Sequence, residues 1–376
     1  MVLISKGLVM SGDIVVASIE NDKVTVIDKE KCPYFLIYQS DNIQDWLADR
    51  AFDSTRGHSR TLKRVSNLIA KSDAEIALRF YGATITDNYW VKTSEKDSLT
   101  YDDVRYKTDQ LFLLALNGDS SDLNHKPEEI KSPQFTVSGC LEKGWSLENG
   151  QWVLYKRDNP VEQFNELFVS DVSNALGVES VVYLPTASGV KSANFADKYN
   201  FEDMKGLIGE DGYADYSAVY DKIRVIFGEK AAIDYVKLIY VDAVCCNQDR
   251  HSKNFGILRD SKTGAFVSLA PNYDYNLSLF GDSVGVDTNK DAYTDVFILD
   301  LCNLIEEKDI DFTMPKLTQT ELENATQRNA AHSMYNDAVR YVQQRQELIC
   351  ELNPRICIYS TDLEPDPTDD TETYDI

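Results

Sequence analysis

Apolar and polar positions alternate over residues 13–19 and 23–27, with the turn-like Glu20-Asn21-Asp22 between them, so the chain is predicted to open with a β-hairpin. Helical spacing follows over about residues 59–71 and 73–81. An aromatic patch, Asp87-Asn88-Tyr89-Trp90-Val91-Lys92, then reads as a packing joint between N-terminal pieces. Residues 117–134 are crowded with Asn, Asp, Ser, Pro and charge and form the best candidate boundary. Beyond it, 135–137, 145–147 and 152–155 read as successive strands, with turns at Ser138-Gly139-Cys140 and Asn149-Gly150. A helix is predicted from Pro160, because Val161, Phe164, Leu167, Phe168, Val172 and Leu176 share one face and Gly177 ends it. The second half is mostly helical. Segments at about 214–227 and 229–246 precede two short strands, 255–258 and 265–269, and helices over about 319–352 close the fold. Residues 361–376 carry seven acids and no base, and read as a frayed, solvated tail.

Composition narrows the function classes. The 376 residues are 43% hydrophobic and 11% aromatic, enough to build the cores of two or three domains. A net charge of −24 argues against direct binding to nucleic acid or an anionic membrane. No apolar run approaches the roughly 20 residues of a membrane span, and Ser11, Gly12 and Asp13 interrupt any signal-peptide pattern. Seven Cys without a CxxC pair suit a reducing compartment better than a disulfide framework. A soluble, acidic, cytoplasmic protein is expected.

The densest polar stretch is Asn247-Gln248-Asp249-Arg250-His251-Ser252-Lys253-Asn254. It follows a helix that Ile233, Val236, Ile239, Val241 and Val244 mark as buried, and packing gains nothing from so many polar groups there. Phosphoryl transfer needs an Asp to take or orient the proton of the attacking hydroxyl and an Asn to reach a metal. A second Asp, returned by a hairpin, holds Mg²⁺ against the nucleotide phosphates. Asp249, Asn254 five residues later and Asp274 at the end of the predicted hairpin stand in that order. Mg²⁺ favours carboxylate, amide oxygen and water, which Asn254 and Asp274 can offer. The competing reading, a polar surface loop with one structural Asp, leaves the buried helix and the hairpin unexplained.

Upstream, the turn at 139–143 and Lys156 at a strand end supply what a triphosphate needs, a backbone cover and a cation. Glu162 and Glu166 could each pair with Lys156; Glu166, among Phe164, Leu167 and Phe168, is better placed to point inward. There is no GxxxxGK[ST], GxGxxG, HExxH or Cys/His zinc spacing, and Cys245-Cys246 at the end of an apolar helix read as inert core thiols.

With these segments in order, the chain resembles the HipA-like kinase family over about residues 130–350. Ser138-Gly139-Cys140-Leu141-Glu142-Lys143 looks like its phosphate loop, and Leu154-Tyr155-Lys156 like the strand bearing the ATP-contacting Lys. Asn247-x-Asp249-x-His251-x-Lys253-Asn254 is similar to its catalytic loop, and Leu269-Ala270-Pro271-x-Tyr273-Asp274 to its metal segment. The resemblance implies an α+β, two-lobed protein-kinase-like fold. Residues 1–125 would be an accessory region, 126–200 the β-rich N-lobe, 201–360 the helical C-lobe and 361–376 a disordered acidic tail. It implies ATP and Mg²⁺ as cofactors. Asp249 would be the base, supported by His251 and Lys253, with Asn254 and Asp274 as metal ligands. Val137, Ser138, Gly139, Cys140 and Lys143 would cover the phosphates, beside Lys156 and Glu166. The adenine hinge would lie near Ala193 and Phe195. Family members can phosphorylate a Ser in the phosphate loop, so Thr136 or Ser138 becomes a candidate site of autophosphorylation. The expected function is transfer of the γ-phosphoryl group to Ser or Thr of a protein substrate, with a small antitoxin-like partner. A kinase acting on a lipid or small-molecule hydroxyl, or an inactive nucleotide-binding module, are the alternatives.

Overall fold

The computed structural model describes residues 2–93, 98–121, 126–137, 139, 141–279 and 295–359. Ser138, Cys140 and the acidic tail lie outside the described residues.

The predicted hairpin is present as strands Ile14–Glu20 and Lys23–Val26. It belongs to a four-stranded antiparallel sheet completed by Lys6–Ser11 and then Tyr89–Thr93 at the far edge. The aromatic patch is therefore a joint, as its composition suggests. Alternation sends Tyr89 and Val91 into one core with Trp46 and Leu47, and Trp90 into a second with Phe52 and Phe80. The buried Trp90 indole donates to Gly12 O at 2.7 Å, so its one polar group is satisfied.

A second four-stranded sheet runs in the order Lys143–Glu148, Gln151–Arg157, Gly189–Ala193, Leu184–Thr186. Helix Pro160–Ala175 packs on it, started by a capping box in which Asn159 accepts from Val161 and Glu162 while Glu162 returns to the Asn159 N–H. A third, three-stranded sheet carries Tyr199–Asp203, Gly256–Asp260 and Phe266–Leu269. Beneath it the helices Tyr216–Phe227, Glu229–Cys245, Val296–Glu307 and Tyr335–Leu352 share the largest core, and Glu229–Cys245 is buried along most of its length.

Three expectations change. Residues 135–137 are not a strand: Pro133–Thr136 is a 3₁₀ turn, because the Gln134 amide takes both backbone groups of Trp145 at 2.9 and 2.7 Å, the positions a neighbouring strand would fill. Phe135 is thereby turned onto Phe52 and Phe80 in the N-terminal core. The closing helical pattern breaks between Gln319–Ala325 and Tyr335–Leu352, where Arg328 and Asn329 turn aside to hold Asp171. Finally, Cys350 and Cys357 form a disulfide, since the chain returns as strand Cys357–Tyr359; Cys32, Cys245, Cys246 and Cys302 are free and buried. Among the described residues, no helix is long and apolar enough to cross a membrane.

Candidate active site

The N-terminal region and the other two sheets meet around a cavity of about 230 Å³. Its lining combines apolar side chains, Leu154, Ala193, Phe195 and Phe201, with the charged and polar Lys143, Lys156, Asp249, Asn254 and Asp274. The edge-strand pairing places Lys143 directly opposite Lys156, so two cations face the same space.

Lys156 is buried, and its Nζ lies 2.5 Å from Glu166 Oε1 and 2.6 Å from Asp274 Oδ1. Of the two glutamates weighed for this pairing, Glu166 makes it; Glu162 is used in the helix cap. Glu166 is fully buried and also accepts from the Tyr275 N–H at 3.1 Å, so it acts on the site through Lys156 and is not itself on the cavity wall. Burial alone would neutralise these groups. Burial would push the Asp274 carboxyl up, but Lys156 and Lys143 hold it well below the usual carboxylate range. Burial would lower Lys156, yet Asp274 and Glu166 raise it, so it stays charged. Lys143 lacks such a pair, and burial lowers it.

The polar loop after Glu229–Cys245 is held by Arg250. Its guanidinium forks onto Asp242, a helix residue, at 2.8 and 2.9 Å and reaches Asn272 Oδ1 at 2.8 Å. It also donates to the backbone oxygens of Asn254 and Tyr273, which ties helix, loop and the segment before Asp274 together. Within the loop, Asn254 Nδ2 donates to Asp249 O at 2.7 Å, leaving its amide oxygen free to face a ligand. Burial pushes the Asp249 carboxyl above its ordinary value, with His251 opposing the rise. His251 Nδ1 accepts from the Lys253 N–H at 3.1 Å, and both residues stand on the cavity wall. Asp274 sits in the left-handed region at φ +67°, with its N–H donated to the Tyr183 hydroxyl.

Thus Asp249, His251, Lys253, Asn254, Asp274, Lys156, Lys143, Gly139, Val137, Thr136, Ala193 and Phe195 converge on one cavity. Gly139 has φ +94°, a backbone conformation that favours glycine. Sequence reasoning missed Thr84, Ile85 and Thr86, which wall the cavity from the N-terminal region, and Asp203, which lines it from Tyr199–Asp203. Two of these residues are held through their backbone oxygens: Phe201 N–H donates to Thr86 O at 2.9 Å and the Asn194 side-chain Nδ2 to Ile85 O at 3.3 Å. No side-chain signature marks such a wall. Asp49 was missed too; it lies 2.8 Å from both Lys253 and Lys205.

The donor set suits Mg²⁺. Asp274 offers a carboxylate, Asn254 an amide oxygen, and the buried Asn276 Oδ1 on the same wall has no hydrogen-bond partner. Among the described residues, no group of three or more His, Cys, Asp or Glu could hold a metal alone, so ligand oxygens would have to complete the shell.

Comparison with known proteins bears on the fold. Residues 160–345 match the family model described as the HipA-like C-terminal domain. Among solved structures, the chain is similar to HipA of Shewanella oneidensis MR-1, in a toxin–antitoxin complex with HipB and operator DNA. The TM-score is 0.52 at 12% identity, covering 93% of this chain and 95% of that one. A second similar structure is the Helicobacter pylori proinflammatory kinase CtkA, at TM-score 0.40 and 16% identity, covering 57% of this chain and 90% of that one. No curated protein matches. At these identities the likeness is one of fold, and the fold is the two-lobed, HipA-like one. The 93% coverage takes in most of the N-terminal region, which the sequence motifs alone did not align.

Proposed function

We infer, for a chain whose residues 160–345 form a HipA-like C-terminal domain, that its kinase-type activity is transfer of the γ-phosphoryl group of ATP to a Ser or Thr hydroxyl of a protein. The observation that carries the reading is the convergence of Lys156, Asp249, Asn254 and Asp274 on one cavity that apolar side chains also line, with Glu166 holding Lys156 from behind. The apolar lining, with Ala193 and Phe195, would take the base; Lys156 and Lys143, with the Gly139 turn, would face the phosphates. Asp249 would accept or orient the acceptor proton, and its raised carboxyl is suited to holding it. His251 and Lys253 would support the transferred charge. Asn254 and Asp274 would hold Mg²⁺, which when bound neutralises charge on the phosphates.

Asp249→Asn should lower phosphoryl transfer by roughly 10²–10⁴-fold while ATP binding persists. Radiolabelled ATP with a lysate, followed by protein and organic extraction, measures both the rate and the acceptor class; transfer at the wild-type rate by the variant would sink the assignment. Label in the organic phase would move the acceptor from protein to lipid. Thr136, whose hydroxyl donates to Pro133 O at 2.9 Å at the cavity wall, and Ser138 are the proposed autophosphorylation sites. The HipB seen with the Shewanella protein supports a small antitoxin-like partner.

A further inference from the structure

Arg56 is 1% exposed, and among the described residues none of its three guanidinium nitrogens has a hydrogen-bond partner. Arg250, Arg259 and Arg345 are buried too, but each is paired with a carboxylate. A buried cation left unbonded is among the most costly groups a fold can carry. Burial pulls its pKa down to about 10, with Glu142 opposing, so it remains charged at neutral pH.

Its location gives the charge a purpose. The segment bearing Arg56 runs beside the phosphate loop: the Phe52 N–H donates to Phe135 O at 2.9 Å, and their rings meet at 5.5 Å. Gly57 faces Glu142 so closely that a Cβ would lie 2.0 Å from its Oε1. Lys143, on the cavity wall, feels Arg56 as a like charge. Glu142 is the acid nearest in effect, yet no hydrogen bond joins it to Arg56. Arg56 itself is off the wall, beside the loop.

We propose that Arg56 is a phosphoryl-binding residue, contributed to the phosphate loop by the N-terminal region. A guanidinium with every N–H free presents a planar fork that matches two oxygens of a phosphate. A dianionic group there would also relieve the repulsion between Arg56 and Lys143. The proposal rests on the reading of the cavity as a phosphoryl-transfer site. Two sources share the chemistry: the phosphates of a bound nucleotide, and a phosphoryl group carried by a loop hydroxyl such as Thr136.

The full chain and its R56M and R56K variants test this. Replacing an unbonded buried charge by an apolar side chain should raise the melting temperature of ligand-free R56M above wild type, whereas a structural arginine would give a fall. Inorganic phosphate should then raise the melting temperature of the wild type, R56K less, and R56M not at all. If the nucleotide is the source, R56M loses roughly 10–100-fold in ATP·Mg affinity by calorimetry while adenosine binding is unchanged. If the loop is the source, ATP affinity is equal, and incubation with ATP to a phosphorylated mass raises the melting temperature of the wild type alone. Should R56M fail to fold, weaker phosphate binding by R56K than by wild type carries the test. A lower melting point for R56M, with no difference toward phosphate, ATP or phosphorylation, overturns the proposal. Because inorganic phosphate needs no nucleotide site, a wild type that ignores ATP would sink the kinase reading and leave Arg56 still to be judged.

Discussion

Lys156 shows how much of the site's electrostatics hangs on one side chain. It is the cation shared by two buried acids, Glu166 and Asp274, that lie far apart in the chain. Lys156→Met would leave both without their shared cation, a loss of about 3–5 kcal/mol where the acids remain charged. Carboxyls so stranded titrate upward instead, which makes the loss larger at pH 8 than at pH 5. Urea unfolding at the two pH values measures this, and equal losses would contradict it. Asp158 poses the converse case. Both its carboxyl oxygens are buried without a partner, and burial, then Glu166, raises its pKa to about 7. Burial, then Asp49, raises Asp203 to about 7 as well. Between the unfolded value near 4 and this folded value, the native protein holds protons that the unfolded chain has released. Stability therefore falls as pH rises through that window and stays lower above it. Asp158→Asn should flatten part of this slope and melt higher than wild type at pH 8. Identical thermal profiles from pH 5 to 8 would count against the assignment.

Among the elements, the loop after Glu229–Cys245 depends on Arg250, which joins Asp242 in the helix to Asn272 and Tyr273, just before Asp274. Arg250→Ala should destabilise by about 3–5 kcal/mol, because Asp242 is then a buried acid without its cation. Arg250→Lys should recover only part of that, since an ammonium cannot reproduce the fork. Denaturant midpoints for the two variants give the answer, and a lysine as good as the arginine would show that charge alone suffices. Elements of this kind were largely legible in the chain, because periodicity and caps are local: the helix from Pro160 and the hairpin behind Asn254 both announce themselves within about twenty residues. The order Asp249, Asn254, Asp274 was legible for the same reason. Phe135 was misread because the Gln134 side chain, not a strand, completes the edge at Trp145. Asp49, Arg56 and Asp203 carry no pattern that sets them apart from surface charges; only tertiary packing puts Asp203 on the cavity wall, Asp49 on Lys253 and Arg56 beside the loop that bears Lys143. The Cys350–Cys357 bond was hidden likewise, since it follows from a chain reversal that no spacing rule announces.

At the scale of the whole molecule, the N-terminal region is part of the cavity. Thr84, Ile85 and Thr86 form part of its wall, and Asp49 holds Lys253 of the polar loop. The same surface satisfies Arg259, which is 1% exposed: it donates to Cys32 O and Glu30 O, reaches the Tyr89 hydroxyl and lies 4.1 Å over the Tyr34 ring. Glu202, the carboxylate paired with Arg259, likewise accepts from the Tyr34 N–H at 2.6 Å and the Tyr89 hydroxyl at 2.9 Å. Removing residues 1–125 would strip most of these partners at once, open the cavity on one side and expose Phe135, whose ring neighbours Phe52 and Phe80 go with them. Losses of a buried network and of core aromatics each reach several kcal/mol, against a total stability of about 5–15 kcal/mol. Residues 126–376 alone are therefore expected to aggregate or to unfold without a cooperative transition, even though they contain every motif of the catalytic set. Circular dichroism melting of that fragment, with ATP·Mg titrated against it, is the measurement. A soluble fragment that melts cooperatively and binds ATP as the full chain does would make the N-terminal region an appendage, not a wall of the site.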